Sequence, residues 1–170
     1  MSKFEDLCKS YKISRKKYFS YQNESYDFAR NLVQGYIRYL DIPEEQFKFI
    51  PLDKEPKAGT NYTIFGAIHL AEDSFWNLGM QITLYSAPNE FPHQPVLIRF
   101  KFKKKSENVF VVKISDEDKE HSINIDSDND FNDFYDYLQA QIQSHFEDGF
   151  QKFLEQTAPL RTIGFNQHMA

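Results

Sequence analysis

Apolar residues recur along this chain with two different periods. Ala29, Leu32, Val33, Tyr36, Ile37 and Leu40 follow the three-and-four spacing of a helix buried along one side. Ser25 stands where it would cap that helix and Asp27 where it would complement the helix dipole. Asp41-Ile42-Pro43 ends it, because the residue before a proline is pushed away from helical geometry. Upstream, Phe4, Leu7, Cys8 and Tyr11 predict a separate first helix reaching about Tyr18. From residue 47 the period drops to two. Phe47 to Leu52 reads as a first strand, and Ile64, Gly66, Ile68 and Leu70 alternate in a second. Met80, Ile82 and Leu84 carry the buried face of the next strand, and Val96, Ile98, Phe100 and Phe102 that of the one after. Phe110, Val112 and Ile114 supply another, and Ile123 and Ile125 a short last one.

Helical spacing returns with Phe131, Tyr135, Leu138, Ile142, Phe146, Phe150, Phe153 and Leu154, predicting a long helix from about Asp128 to Gln156. Ser127, Asp128 and Asp130 sit where its N-terminus is capped and its dipole matched. Such a helix spans about 42 Å, more than a compact domain of this size needs, so a bend near Gly149 or a projecting end is expected. The pattern as a whole predicts an α+β fold of N-terminal helices, an antiparallel meander of about five or six strands and a long C-terminal helix. Residues 1–157 read as one domain, with 1–22 as a basic helical extension, and 158–170 as a C-terminal tail with a strand-like or irregular segment after Pro159.

Composition sharpens this picture. Seventeen Phe and ten Tyr against one Trp imply a core built largely from rings. A single cysteine, Cys8, excludes an internal disulfide and any paired-thiol metal site, and points to a reducing, cytoplasmic setting. No apolar run approaches the ~18 residues of a membrane span, so no membrane association is expected. The net charge of −5 conceals an asymmetry: eight Lys or Arg against four acids up to Leu40, and twelve acids against two Lys from Asp116 to Glu155. Lys12, Arg15, Lys16 and Lys17, interleaved with Tyr11, Tyr18, Phe19, Tyr21 and Tyr26, form the pattern that single-stranded nucleic acid requires. The same rings at helical spacing equally serve a core, and an acidic chain is a poor polyanion binder, so nucleic acid is the lesser alternative.

Candidate chemistry is sparse. Asp126-Ser127-Asp128-Asn129-Asp130 begins like a calcium loop, but Phe131 occupies the glycine position and Tyr137 that of the bidentate glutamate, leaving helix capping as the better account. His69, Glu72, Asp73 and His93 would form an acid–base or metal cluster only if one end of the meander gathered them, and their spacing matches no metal signature. His121, His145 and a Glu107–Asp116 carboxylate pair have less support. No metal or cofactor is expected.

The middle of the chain resembles the ubiquitin-conjugating-enzyme fold over roughly residues 25 to 115. Phe91-Pro92-His93-Gln94-Pro95-Val96-Leu97-Ile98-Arg99-Phe100 is similar to that family's Tyr-Pro-x-x-Pro-Pro-x-Val-x-Phe signature. Gly66-Ala67-Ile68 and Gly79-Met80-Gln81-Ile82-Thr83-Leu84 are similar to its upstream strands. The resemblance places Asn108 at the asparagine that supports the attacked carbonyl and, with a one-residue gap, Ser115 at the nucleophilic cysteine. A serine without a nearby base is a poor nucleophile and carries no thioester, and Cys8 lies in the wrong place to substitute. The resemblance therefore implies a catalytically inactive relative, in the style of ubiquitin-conjugating variants or RWD domains, that binds a protein partner. On this reading Phe91, Pro92, His93, Pro95, Arg99 and Lys101 are the partner-binding candidates. The alternative from the residues alone is an α+β domain, catalytic or merely binding, with an apolar ligand pocket among its many rings.

Overall fold

A computed structural model describes residues 2–88, 90–155 and 165–167. It has the α+β architecture that the two periodicities predict. Helix α1 runs from Lys3 to Leu40, followed by a single 3-10 turn over Glu44–Gln46 and strand β1, Phe47–Ile50. A one-turn helix α2, Ile64–Ala67, leads to strands β2 (His69–Leu70), β3 (Trp76–Tyr85), β4 (His93–Ser106), β5 (Val109–Lys113) and β6 (His121–Asn124). Helix α3 covers Asp128–Glu155, and strand β7 is Phe165–Gln167. The sheet order is β1-β3-β4-β5-β6, with β2 beside β3 and β7 beside β4, and every pairing is antiparallel.

The expected pair of N-terminal helices is one continuous helix of 38 residues. Residues 19–25 contain neither proline nor glycine, so nothing in the backbone stops propagation between the two predicted segments. The helix begins at Ser2, whose hydroxyl accepts from the Glu5 amide at 3.1 Å while the Glu5 carboxylate accepts from the Ser2 amide at 2.7 Å. Ser25 is therefore no cap: it lies buried inside the helix and donates its hydroxyl to the Tyr21 carbonyl at 2.8 Å. The C-terminus is where Pro43 requires it, with Asp41 in the left-handed region at φ 51°.

A second correction concerns residues 64–70. Thr63 accepts from the Gly66 amide at 3.1 Å and starts a helical turn, not a strand, leaving only His69–Leu70 to pair with β3. Ile64, Ala67 and Ile68 fit a helix face as well as they fit an alternation, and over so short a run the two periods are indistinguishable. Strand β1 also stops at Ile50 rather than Leu52, and Ile125 lies beyond β6, exposed. Helix α3 passes Gly149 without a break, so its excess length becomes a projecting end. Most of the expected segment after Pro159 lies outside the described residues; 165–167 form β7.

Both long helices pack on the face of the sheet carrying Trp76, Leu78, Met80, Ile82, Val96, Ile98, Phe100, Phe102, Phe110 and Val112. Phe28 of α1 stacks on Phe110 at 4.2 Å, and its ring also meets Phe102 of the sheet and Phe131 of α3. The two helices are clasped by Tyr135, whose hydroxyl donates to the Leu32 carbonyl at 2.8 Å across Gly35. Burial holds the Tyr135 phenol well above its ordinary range, so it remains a donor at any physiological pH.

Candidate partner-docking surfaces

Residues 2–20 are exposed at every position, while Phe28, Ala29, Leu32, Val33 and Tyr36 of the same helix are buried. The first eighteen residues of α1 thus form an arm about 27 Å long that stands clear of the body. At ~100° per residue, Phe4, Leu7, Tyr11 and Tyr18 lie on the side of the helix that Ser25, Phe28, Leu32 and Tyr36 bury against the sheet. One apolar stripe therefore runs the whole helix, covered over its second half and bare over its first. Phe4, Leu7 and Tyr11 are 73%, 69% and 67% exposed. Lys12, Arg15, Lys16 and Lys17 all lie on this arm, and the Arg15 guanidinium sits 5.2 Å over the Phe19 ring. Of the rings interleaved with them, Tyr11, Tyr18 and Phe19 are exposed, whereas Tyr21 and Tyr26 pack against Trp76.

At the opposite end, a groove of about 420 Å³ opens between the C-terminus of α1, the end of β3 and α3. Leu40, Ile42, Pro43, Ile82, Leu84 and Ile142 line it, with Tyr85 and Phe146 as half-exposed rims. The β3–β4 loop stands beside Tyr85, and Phe91 at its tip is 83% exposed, stacked on His93 at 4.4 Å. The bond between Phe91 and Pro92 is cis. Pro95 lies within β4, half-buried opposite Thr83.

The sheet face away from the helices is cationic. Arg99 is exposed there, and Lys101, Lys103 and Lys113 converge on Phe75, their ammonium groups 5.6, 5.9 and 4.8 Å from its centroid. Lys101 is bound by Asp73 at 2.9 Å and by Asp116. Burial alone would lower the Lys101 pKa, but the hydrogen bonds to Asp116 and Asp73 outweigh it and raise it. The same bonds to Lys101 hold both carboxyls below their usual range. Lys101 is thus already neutralised from within the chain, which leaves Arg99 as the accessible cation of the two predicted.

The remaining candidates are dispersed. Asn108 takes a left-handed turn at φ 61° between β4 and β5, and its carbonyl accepts from the Ile125 amide at 2.8 Å. Ser115 follows the far end of β5, so about 20 Å of extended chain separates the two residues. They do not form one site. His69 pairs opposite Asn77 and His93 opposite Tyr85, at the two ends of β3, so the proposed histidine cluster is not assembled. Glu107 and Asp116 lie at opposite ends of β5, and Asp116 is committed to Lys101. Among the described residues no group of three or more His, Cys, Asp or Glu could hold a metal ion. Asp130 serves the fold: its amide donates to Ser127 Oγ at 3.2 Å and its carboxylate accepts from the Asn124 amide at 2.9 Å.

One polar cluster was invisible in the sequence. Asp118, its side chain 4% exposed, accepts from Tyr137 Oη at 2.6 Å and from the Ile114 amide at 3.2 Å, with His121 Nε2 at 3.5 Å. It fastens the β5–β6 connection to α3, a contact between residues nineteen apart that spacing alone does not announce. Burial, joined by the Lys119 charge, lowers the His121 pKa against the pull of Asp118, and burial with the Asp118 bond pushes Tyr137 up to about 12. The unfolded chain therefore takes up a proton near pH 6.5 that folded His121 resists, so stability is full above that value and falls as the pH drops below it. His121→Gln is expected to flatten this decline; urea midpoints measured from pH 7.5 to 5 would show identical slopes for both proteins if His121 were not responsible.

The class defined by these features is an α+β domain with two helices on one sheet face, a bare helical arm at one end and an apolar groove at the other. No family model, no curated protein and no solved structure matches the chain. Among the described residues no helix is long and apolar enough to cross a membrane.

Proposed function

We propose that the chain is a non-enzymatic protein-interaction module, a cytoplasmic adaptor that docks a protein partner through the arm of α1, in the manner of an inactive ubiquitin-conjugating-like or RWD domain. The observation that carries this reading is the continuity of the apolar stripe of α1 from its buried half onto its bare half. A stripe of Phe, Leu and Tyr held on a rigid helix is the form in which amphipathic helices enter grooves of other proteins. The separation of Asn108 from Ser115 argues in the same direction, since it leaves no catalytic pair at the positions the family resemblance singles out. A second reading, binding of an apolar small molecule, is favoured by the groove at Leu40 and Ile142, whose volume is within the range of ligand sites. Nucleic-acid binding is the weaker alternative for the arm, because Tyr21 and Tyr26 are spent on Trp76.

Cys8, exposed on the arm, offers the test. A photo-crosslinker attached there is expected to capture one defined protein from lysate, and Tyr11→Asp to lose it at least tenfold. Capture of nucleic acid alone, or equal labelling by wild type and variant, would overturn the docking reading.

A further inference from the structure

The arm and the groove lie at opposite ends of one rigid element. The root of the arm packs at Trp76, the first residue of β3, and the groove opens at Tyr85, its last, about 30 Å away. A straight helix cannot fold its own N-terminus back onto its C-terminus, so the arm does not reach the groove of its own chain.

The two ends are complementary in charge. Residues 3–20 carry Lys3, Lys9, Lys12, Arg15, Lys16 and Lys17 against Glu5 and Asp6. The segments flanking the groove, 41–46 and 143–155, carry Asp41, Glu44, Glu45, Glu147, Asp148 and Glu155 against Lys152. Both ends also expose rings and aliphatics of the kind that protein contacts bury: Phe4, Leu7 and Tyr11 on the arm, Tyr85 and Phe146 at the groove. Two arms laid against each other would place four net positive charges against four, whereas an arm in a groove pairs opposite charges around an apolar centre.

We propose that the partner of the arm is a second copy of this chain, with the apolar stripe of α1 seated in the Leu40–Ile142 groove of the next molecule. This rests on the docking reading of the arm given above and names its occupant. Each molecule uses one surface as donor and a different one as acceptor, so copies join as a reciprocal pair, a ring or an open chain. Lys12 and Lys17, which flank the stripe about 110° to either side, lie against Asp41, Glu44, Glu147 and Asp148 of the next copy, which makes the association salt-sensitive.

The test uses the full chain and two variants, Tyr11→Asp in the arm and Phe146→Asp at the groove rim, both at exposed positions where the fold tolerates substitution. By light scattering and sedimentation from about 1 to 100 μM, wild type is expected to grow in mass with concentration, and to dissociate at least tenfold more readily in 0.5 M than in 0.05 M salt. Each variant alone is expected to be monomeric. Mixed one to one, they are expected to form a dimer and nothing larger, because one supplies the intact arm and the other the intact groove. Lys12→Glu with Lys17→Glu, which spares the apolar stripe, should weaken assembly in the same way. A monomeric wild type, a mixture that stays monomeric, or assembly that persists in Tyr11→Asp would each overturn the proposal. A monomeric wild type that still crosslinks another protein through Cys8 would overturn self-docking alone, whereas one that crosslinks nothing would remove the docking reading too.

Discussion

Phe28→Ala is expected to destabilise the chain by about 3–5 kcal/mol, the range for deleting a fully buried phenylalanine. The Phe28 ring meets the sheet at Phe102 and Phe110 and α3 at Phe131. Alanine leaves a cavity where three elements meet, and those partner rings are themselves fixed by neighbours, so collapse around it is limited. Against a total stability of ~5–15 kcal/mol this is a large fraction, and at this chain length it lowers the melting temperature by roughly 10–15 °C. The contrast is Phe19→Ala on the arm, a residue of the same type in the same helix, where the change stays within about 0.5 kcal/mol. Thermal melts of the two variants side by side decide the matter. A loss below about 1 kcal/mol for Phe28→Ala would mean that the ring stack does not hold α1 to the sheet.

Gly35→Ala carries the second large effect, with a sign opposite to helix propensity. In an exposed helix the substitution gains about 1 kcal/mol. Here the added Cβ would lie 2.2 Å from Tyr135 Oη and 3.1 Å from the ring carbon that bears it. The Tyr135 ring cannot move aside freely, since it is buried among Tyr36, Tyr39, Phe131 and Phe134. Displacing it breaks the bond to the Leu32 carbonyl and overpacks the helix contact, for a net cost of about 2–4 kcal/mol. In a Tyr135→Phe background the hydroxyl is gone and the penalty of Gly35→Ala should fall below about 1 kcal/mol, a coupling that denaturant unfolding of the four proteins measures directly. Additive effects would show that the clasp is not where the cost arises.

How much of this was legible beforehand differs from element to element. The apolar stripe of α3 and the alternation of β4 were legible because each runs far enough to distinguish one period from the other. The break expected between Tyr18 and Ser25 was misread: a serine preceding an apolar run is a cap signal, yet the same hydroxyl is satisfied within a helix by the carbonyl four residues back. Ile64 to Leu70 failed because seven residues fit either period, and Thr63, which decides it, lies just outside the run. Among site residues, Arg99 and Phe91 were legible as exposed members of a patterned hairpin. Lys101 stands among the partner-binding candidates because the two carboxylates that bind it come from segments 28 and 15 residues away, beyond the reach of local pattern. The bare state of the arm is also not legible, since its stripe has the same kinds of residue as the one that is buried; only the exposure of residues 2–20 in the folded chain separates the two.

The unbroken passage of α1 from core to arm has a mechanical consequence. The buried half supplies the helical nucleus, so each arm residue adds only a propagation step and the arm inherits the orientation of the body. Distance and direction are then locked to one another along the chain: each inserted residue advances the tip by about 1.5 Å and turns its apolar side by ~100°. Seven residues added at the root would lengthen the arm by two turns and leave its face aimed almost as before, whereas two would lengthen it by only 3 Å and aim it nearly backwards. The arm is in this sense a pointer with a fixed bearing, and what evolution can alter cheaply in it is reach in steps of whole turns, not direction.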